Sequence, residues 1–386
     1  MWKGLLIMNY YIKNALVYHN HRFEARNLHI VDGKIHFAPE IPEGAEVVDA
    51  SGRKIVPCFI DIHTHGAVGV DVNAATKEDL AKIGRFFASN GTTGWLGSVL
   101  TDTQEQTEWC LNQFNDYYAD PAKDAAELLG THLEGPFLAY EYKGAMPDYL
   151  LQKGNTELLR HYQDVAKGHV RYITCAPEVE GVAEMIPEAV KMGIHVGIGH
   201  SAATYDQAIR AIDNGAENCT HTFNAMRLFH QHEPAIMGAV LERDIFCEMI
   251  CDGLHLVPST VRMLMKIKGP EHLIAITDSI MAAGLPDGNY KLGVNDVVVK
   301  DGDAKLASNG VRAGSTLTQN RALKNLLKFT DKTLEEIIPT LTENPAKLLG
   351  LDDRIGRIEE GMDADLVFLD CNNDVAEVYL KGLRAK

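Results

Sequence analysis

The sequence has little positive charge, no long apolar run and no paired-cysteine motif. Its 37 lysine and arginine residues face 53 aspartate and glutamate residues, giving a formal net charge of −16. Nucleic acids and anionic membrane surfaces are bound through basic patches, so this balance argues against both as main partners. No apolar run approaches the roughly 18 residues that a membrane-spanning helix needs. The first twenty residues lack the long apolar core and cleavage site of a signal peptide, and we predict that they form the first strand.

The seven cysteines are odd in number, scattered along the chain and free of any C-x-x-C spacing. Disulfide frameworks occur in oxidising compartments and usually use an even number of cysteines. The pattern therefore predicts buried free thiols and a cytoplasmic protein. Cys247 and Cys251 are only four residues apart, but strand-like residues separate them and we expect no disulfide there.

The 386 residues suffice for one large α/β domain with a smaller companion. Residues 1–56 and 351–386 both read as short strands separated by turns, so we predict that they pair into one small β-sandwich domain. Residues 57–350 alternate eight apolar, β-type runs with amphipathic stretches. This alternation is typical of a (β/α)₈ TIM-like barrel, which we predict for this catalytic, metal-dependent part of the chain. Residues 284–314 are rich in loop residues and predict a hairpin.

Histidine and carboxylate residues stand at the ends of these predicted strands. They are His63 and His65 after the first run, Glu134 after the third, His200 after the fifth, His221 after the sixth, Asp252 and His255 after the seventh, and Asp278 after the eighth. The carboxyl ends of barrel strands meet at one face, so we expect one shared pocket. Imidazole and carboxylate groups are ligands of zinc and neighbouring first-row metals, which indicates a divalent-metal hydrolase.

The spacing of these residues suggests how they are divided between two metals. His63 and His65 are two residues apart on a strand and therefore point to the same side, where both can reach one metal. Glu134 can bridge two metals through its two oxygens, and His200 and His221 can hold the second. A strand histidine taken alone is more often an ordinary core residue, so the prediction depends on the whole set.

We predict different roles for Asp278 and for four further histidines. Asp278 is placed to contact the metal site and to take a proton from water. His132 lies in the third strand and is expected to support the ligands, and His195 is expected to be structural. His230 and His232 resemble a chelating pair, but their position in a loop favours substrate contact or plain exposure.

Eight pieces of sequence carry a resemblance that spans nearly the whole chain. They are PCFIDIHTHG, HLEGPFL, GHSAATYDQA, THTFNAM, CDGLH, TDSIMAAGLPDGNYKLG, AGSTLT and NPAKLLGL…GRIEEGMDADLV. On these pieces the sequence resembles the amidohydrolase superfamily and, within it, the family of N-acetylglucosamine-6-phosphate deacetylases. HLEGP, THTFNAM and the GLPDGNYKLG piece are specific to the deacetylases, whereas the H-x-H pair and GMDADLV belong to the wider superfamily.

The resemblance implies an enzyme that hydrolyses the acetamide of N-acetylglucosamine-6-phosphate, or of a close N-acetyl amino-sugar phosphate, in amino-sugar catabolism. It implies one or two divalent metals per subunit, zinc first, with iron, manganese or cobalt as the other candidates. The implied ligands are Glu134, His200 and His221 for the principal metal and His63 and His65, with Glu134, for a second. Asp278 would be the catalytic acid/base and would also contact the metal.

The resemblance also implies substrate contacts and an assembly. The implied contacts are Ala145, Asn224, Ala225, His232 and His255, partly through backbone amides. The family is typically a homodimer, in which a residue of the loop after FNAM can reach the site of the partner subunit.

Two positions depart from the family pattern. Relatives usually have a histidine where this chain has Met146, and methionine has no hydrogen to donate. Relatives usually have an arginine where this chain has His232, and histidine cannot hold a phosphate in the bidentate manner of arginine. Arg227, five residues earlier, is a candidate replacement.

Two alternatives therefore stay open. The same machinery could act on a different N-acyl substrate or on an unphosphorylated amino sugar. The chain could also be a catalytically weak protein that binds a sugar phosphate, an alternative supported by the same two departures.

Overall fold

The computed structural model describes residues 9–386. The predicted first strand is therefore tested from Asn9 onward, and its residues 1–8 lie outside the described residues. Across residues 9–386 we find no helix whose length and apolar character would let it cross a membrane.

The elements follow one another in a regular order. The strands are β1 (Asn9–His19), β2 (Arg22–Val31), β3 (Lys34–Phe37), β4 (Glu46–Asp49), β5 (Lys54–Pro57), β6 (Phe59–Asp61), β7 (Gly66–Ala67), β8 (Val70–Asp71), β9 (Thr92–Leu100), β10 (Glu127–Glu134), β11 (Val170–Cys175), β12 (His195–Ile198), β13 (Asn218–Cys219), β14 (Phe246–Ile250), β15 (Leu273–Ile276), β16 (Gly288–Leu292), β17 (Asn295–Lys300), β18 (Asp303–Leu306), β19 (Leu366–Leu369), β20 (Val375–Leu380) and β21 (Leu383–Arg384). The α-helices are α1 (Lys77–Ser89), α2 (Gln104–Ala119), α3 (Thr156–Val165), α4 (Val182–Lys191), α5 (Tyr205–Asp213), α6 (Ala235–Glu242), α7 (Pro258–Lys268), α8 (Gln319–Phe329), α9 (Leu334–Leu341) and α10 (Glu343–Leu348).

Eight parallel strands form the central sheet, in the order β6, β9, β10, β11, β12, β13, β14 and β15. Helices α1 to α7 connect successive strands, and α8 follows the last one. This is the predicted (β/α)₈ barrel, and the prediction is confirmed.

The first and last strands of this sheet meet through backbone contacts beyond their ends. The Asp278 N–H donates to the His63 carbonyl over 2.9 Å, and a parallel bridge joins Thr64 to Ser279. These contacts nearly close the barrel, and they bring residues more than 200 positions apart to one mouth.

Local sequence explains why these elements form. All nine residues of β9 are buried, as expected for a parallel strand that is covered on both faces. Helices α1 and α5 each begin with a capping box, at Thr76 with Asp79 and at Thr204 with Gln207. These reciprocal bonds satisfy backbone N–H groups that the first turn leaves free. The amphipathic stretches of the sequence therefore become the helices that cover the barrel.

The two chain ends build a second sheet, as predicted. Its hydrogen-bonded order is β21, β20, β19, β5, β1, β2 and β3, with β4 paired to β1. Buried residues from both ends share one apolar core, including Ile12, Ile30, Ile55, Leu366 and Phe368. The unit that we predicted as a sandwich thus consists of a single hydrogen-bonded sheet that contains strands from both termini.

Two local expectations need correction. The first apolar run, IVPCFIDIH, which precedes His65 and was expected to be one barrel strand, is divided: Lys54–Pro57 pairs with β1 and β19 of the small sheet, and only Phe59–Asp61 joins the barrel. The predicted hairpin at 284–314 is a three-stranded antiparallel sheet of β16, β17 and β18, called the insert sheet below. The domain limits at residues 56/57 and 350/351 stay predictions.

Candidate functional site

Two groups of three ligand-type side chains lie at the mouth of the barrel, and they share one member. The groups are His63, His65 and Glu134, and Glu134, His200 and His221; in each, one ligand atom per residue lies within 4.8 Å of the others. All five side chains are buried. The predicted strand ends therefore do converge.

Glu134 is the centre of this arrangement. Its Oε1 lies 3.1 Å from Nε2 of His200 and 3.2 Å from Nε2 of His221. Its Oε2 lies 3.2 Å from Nε2 of His65. Nε2 of His63 is 3.4 Å from Oε1. One carboxylate thus faces both histidine pairs, with a different oxygen toward His65 than toward His200 and His221.

The Nδ1 atoms of three of these histidines have partners on the outer side. The Nδ1 of His63 is 3.0 Å from Oε2 of Glu248, that of His65 is 3.0 Å from the carbonyl of Ser98, and that of His200 is 2.7 Å from the carbonyl of Tyr142. A carbonyl can only accept, so Nδ1 of His65 and Nδ1 of His200 each carry a proton. Nε2 is then the ring atom that can present a lone pair to a metal, which is how metal-binding histidines are oriented.

The donor set fits divalent cations. The Nε2 atoms of His63 and His65 lie 3.2 Å apart, and those of His200 and His221 lie 3.0 Å apart. Lone pairs that converge at such distances, around one carboxylate, repel one another unless a positive charge lies among them. The Nδ1 of His221 is also buried, and none of residues 9–386 offers it a hydrogen-bond partner. Nitrogen and oxygen ligands in this combination suit zinc and its first-row neighbours.

The electrostatics of the protein alone favour positive charge here. Burial by itself would lower the pKa of His65, but contacts with Asp278 and Glu134 raise that pKa to about 9. Burial opposes ionisation of Glu134, yet the nearby His63 and the contacts with His200 and His221 hold the pKa of its carboxyl well below the usual range. The carboxylate of Glu134 is therefore charged at neutral pH.

Asp278 faces the His63 and His65 side of the cluster. Its Oδ1 lies 3.3 Å from Nε2 of His65 and 3.7 Å from Nε2 of His63. Burial would raise its pKa, but the bond from His65 and the nearby imidazoles lower it. Asp278 is thus an ionised base beside the ligand atoms.

The strand ends that carry these groups have unusual backbone conformations. His200, His221 and Asp278 have φ values of 48°, 27° and 49°. Residues with a Cβ rarely adopt positive φ, and such strain concentrates at functional sites. Gly66, directly after His65, has φ of 145°, and a Cβ there would lie 2.1 Å from the carbonyl of Val70. This glycine lets the chain turn away behind the histidine pair.

Two buried carboxylates support the site and were missed from the sequence. Glu248, within β14, accepts hydrogen bonds from the backbone of His221 and from Tyr172 and Asn218, in addition to its contact with His63. The feature of the sequence that could have indicated Glu248 is a glutamate within an otherwise apolar strand.

The second missed carboxylate is Asp61, at the end of β6. It accepts from the hydroxyl of Thr277 over 2.6 Å. Burial raises the pKa of Asp61 to about 6 despite this bond and the backbone bonds from Thr277 and His63. An aspartate next to the H-x-H pair was visible in the sequence, but nothing there distinguished it from a loop residue.

Three of the predicted substrate-contact residues lie on loops at the mouth. Asn224 follows His221 by three residues, and its side chain donates back to the carbonyl of His221 over 3.1 Å. The carbonyl of Ala225 accepts from the backbone of Ser201, which joins this loop to the one after His200. His255 is held by Asp252, whose Oδ2 lies 2.7 Å from its Nδ1.

The remaining substrate-contact predictions have other surroundings. His232 is exposed, and its backbone N–H donates to Nδ1 of His230 over 3.3 Å within the same loop. Arg227, the candidate replacement for a phosphate contact, forms an ion pair with Glu233. The half-buried Ala145 is bound through its carbonyl, which accepts from Asn295 over 2.8 Å.

Two further histidines, His132 and His195, do not belong to either group of ligand-type side chains. His132 is completely buried between the hydroxyls of Ser98 and Thr174, both 2.8 Å away, and its ring centroid is 4.5 Å from that of His63. Burial, and then the nearby His63, hold its pKa well below the ordinary value. His195 pairs with Glu217 over 2.6 Å.

Known proteins resemble this chain over almost its full length. The amidohydrolase family profile matches residues 55–384. N-acetylglucosamine-6-phosphate deacetylase of Lysinibacillus sphaericus is 36% identical over 371 residues, which cover 95% of this chain and 94% of that protein. N-acetylgalactosamine-6-phosphate deacetylase of Escherichia coli O157:H7 is 32% identical, covering 92% and 93%. A variant of the Mycobacterium smegmatis N-acetyl-D-glucosamine-6-phosphate deacetylase, solved in complex with N-acetyl-D-glucosamine-6-phosphate, superimposes with a TM-score of 0.91 at 30% identity, covering 98% and 99%.

Proposed function

Because this chain belongs to the amidohydrolase family, we propose that it is a metal-dependent deacetylase of N-acetylglucosamine-6-phosphate. It hydrolyses the acetamide and releases acetate and glucosamine-6-phosphate, a step of amino-sugar catabolism. The observation that carries this proposal is the sharing of Glu134 between two histidine pairs at the barrel mouth. The similarity over nearly the whole chain to deacetylases of acetylated amino-sugar phosphates supports the same substrate class.

We assign the principal metal to Glu134, His200 and His221, and a second metal to His63 and His65 with Glu134. Zinc is the proposed metal, because the ligands are imidazole and carboxylate and their Nε2 atoms already converge. A divalent cation held there lowers the pKa of water and stabilises negative charge on oxygen.

Asp278 is the proposed general base and general acid. As an ionised carboxylate beside His65 it can accept the proton of the water that attacks the acetamide carbon. The same proton then passes from Asp278 to the amine nitrogen as the carbon–nitrogen bond breaks. Proton transfer by a positioned side chain typically contributes a factor of about 10² to 10⁴ in rate.

Met146 cannot assist at the acetamide carbonyl. It is only 2% exposed, it packs in an apolar cluster, and its thioether has no hydrogen to donate. We therefore propose that the His63 and His65 half of the site matters more for turnover in this chain than in relatives with a histidine at this position.

Substrate binding is assigned to the loops around the mouth. The proposed contacts are Ala145, Asn224, Ala225, His232 and His255. His232 is proposed to face the 6-phosphate, where an imidazole can supply at most one positive charge. We therefore expect this chain to favour phosphorylated over unphosphorylated substrates less strongly than a relative with arginine at this position.

We propose a cytoplasmic homodimer. The seven cysteines are all free, and six of them are buried, which suits a reducing compartment. Leu228 and Phe229, in the loop after FNAM, are 77% and 55% exposed and offer apolar area for a second copy. Light scattering coupled to size-exclusion chromatography tests the assembly; a monomer at working concentration contradicts it.

The experiment that tests the function is an acetate-release assay. The substrates are N-acetylglucosamine-6-phosphate, its galactosamine epimer and the unphosphorylated form of each, and metal content is measured on the same sample. We expect the glucosamine phosphate to be the best substrate. Faster release from the epimer would move the assignment to the galactosamine phosphate, in line with the Escherichia coli relative. Binding of the sugar phosphate without acetate release would contradict the enzymatic proposal.

A further inference from the structure

The loop of residues 139–147, called the covering loop, lies over His200. The Nδ1 of His200 donates to the carbonyl of Tyr142 over 2.7 Å, and the backbone N–H of Ala139 donates to the carbonyl of His200 over 3.0 Å. A Cβ on Gly144 would lie only 3.1 Å from Cε1 of His200. The loop therefore contacts this histidine at Nδ1 and at its backbone carbonyl, and the missing side chain of Gly144 leaves room for the ring.

These contacts decide what His200 can bind. The carbonyl of Tyr142 keeps the ring proton on Nδ1, which leaves Nε2 unprotonated and 3.1 Å from Glu134. Partners of this kind fix the tautomer and the orientation of metal-binding histidines. If the covering loop shifts, the lone pair of His200 no longer points at the shared carboxylate.

The insert sheet holds the covering loop in place. The Nδ2 of Asn295 donates to the carbonyl of Ala145 over 2.8 Å. Next to it, Met146 packs in an apolar cluster with Leu292 and Val297 of the insert sheet. One side-chain hydrogen bond and one apolar anchor thus join the loop to this sheet.

The turn between β16 and β17, which leads into Asn295, also forms a hydrogen bond with the chain that follows the first barrel strand. The backbone N–H of Gly293, two residues before Asn295, donates to Oδ2 of Asp71 over 2.7 Å. The backbone of Val72, next in the chain, donates to the carbonyl of His65 over 2.8 Å. The turn therefore has a fixed support from which Asn295 can hold the covering loop.

We propose that Asn295 is a positioning residue for the metal ligand His200, which it orients through the carbonyl of Ala145 and the covering loop. The proposal rests on the assignment of His200 as a metal ligand. Met146 acts in the same way as the apolar part of this anchor.

The test measures the affinity of the metal-free full chain for Zn²⁺, by competition with a chromogenic chelator. Asn295→Ala is expected to weaken Zn²⁺ binding about three- to tenfold, since one hydrogen bond behind the ligand is lost. The matched control is Asn214→Ala, which removes a bond of the same kind, from Nδ2 to the carbonyl of Ala183 over 2.7 Å, between helices α5 and α4. Its Zn²⁺ affinity is expected to equal that of the unaltered protein.

Met146 supplies a second, independent pair of variants. Met146→Ala is expected to weaken Zn²⁺ binding in the same range, and Met146→Leu to restore it, since leucine fills a similar volume. If the alanine variant fails to fold, Asn295→Ala and Met146→Leu still decide the question. Visible absorption of Co²⁺ bound at the site is expected to change in Asn295→Ala and not in Asn214→Ala.

Unchanged Zn²⁺ affinity in Asn295→Ala would overturn the proposal, as would an equal loss in Asn214→Ala, which would mark a general destabilisation. Failure of the proposed function is a separate result. A protein that binds Zn²⁺ but releases no acetate contradicts the deacetylase assignment and leaves the effect of Asn295 on the metal measurable.

Discussion

The carboxylate of Glu248 lies 3.0 Å from Nδ1 of His63, and both side chains are completely buried. The same Oε2 accepts the backbone N–H of His221 over 2.9 Å. A single residue of β14 therefore supports histidines from both halves of the proposed metal site. Its replacement should affect metal binding although it is not a proposed ligand.

Glu248→Gln is expected to weaken Zn²⁺ binding by about 10- to 100-fold, the usual range for the partner behind a metal-binding histidine. Glutamine replaces one of the two carboxylate oxygens by an NH2 group, which cannot accept, and leaves only a neutral acceptor for the donors that Glu248 now binds, including Nδ1 of His63. Zn²⁺ competition with a chelator measures the effect. The matched control is Glu217→Gln, which alters the carboxylate on Nδ1 of His195 away from the site. Equal affinities for the two variants would contradict the role of Glu248.

Asp278→Asn should reduce acetate release by about 10² to 10⁴, because an amide cannot accept and return the proton. Metal content should stay near that of the unaltered protein, since the five proposed ligands are intact. Steady-state kinetics gives the rate of acetate release, and elemental analysis of the same preparation gives the metal content. Asp296→Asn, at an exposed aspartate of the insert sheet, is the control. A turnover close to normal would remove Asp278 as the acid/base.

The two histidine pairs should contribute unequally to metal content. His200→Ala should cost the larger share of bound metal, because it removes a ligand of the proposed principal site. His65→Ala should keep the metal held by Glu134, His200 and His221 while it lowers turnover. Elemental analysis after dialysis compares them with His161→Ala, which alters an exposed histidine paired with Glu108. Full metal content in His200→Ala would exclude this residue from the ligands.

Asp365 should make the stability of the fold dependent on pH. Burial, and then the charges of Asp363 and Glu127, raise the pKa of Asp365 to about 7, against 3.8 for the unperturbed group, although a bond from the backbone of Lys381 opposes the shift. A raised folded-state pKa means that the contribution of Asp365 to stability is complete below pH 3.8. It is lost as the pH rises through about 7, because the unfolded chain ionises more easily.

Asp365→Asn removes this titration. Relative to the variant, the unaltered protein should lose stability between pH 4 and about 7 and then change little. At roughly 1.4 kcal/mol per pKa unit, the whole shift corresponds to about 4 kcal/mol at most. Urea unfolding from pH 5.5 to 8 measures the difference, with Asp353→Asn as an exposed control. A stability difference that does not vary with pH would show that Asp365 keeps an ordinary pKa.

Much of the site could be predicted from the sequence because its residues stand at strand ends. The apolar runs before Glu134, His200, His221 and Asp278 located those ends, and barrel geometry brings them together. The supporting residues could not be found in this way. Glu248 lies inside a strand, and Asn295 lies on a separate sheet 95 residues beyond His200, so neither follows a strand-end rule.

The sequence by itself determined the barrel, the pairing of both chain ends and the identities of the ligand-type residues, because each depends on local periodicity and on where strands end. Tertiary structure alone decided which oxygen of Glu134 faces which histidine, and that Met146 packs into an apolar cluster with residues of the insert sheet. It also decided that one apolar run divides at Cys58 between two sheets. These outcomes depend on contacts between distant segments, and no local pattern of residues encodes the distances between them.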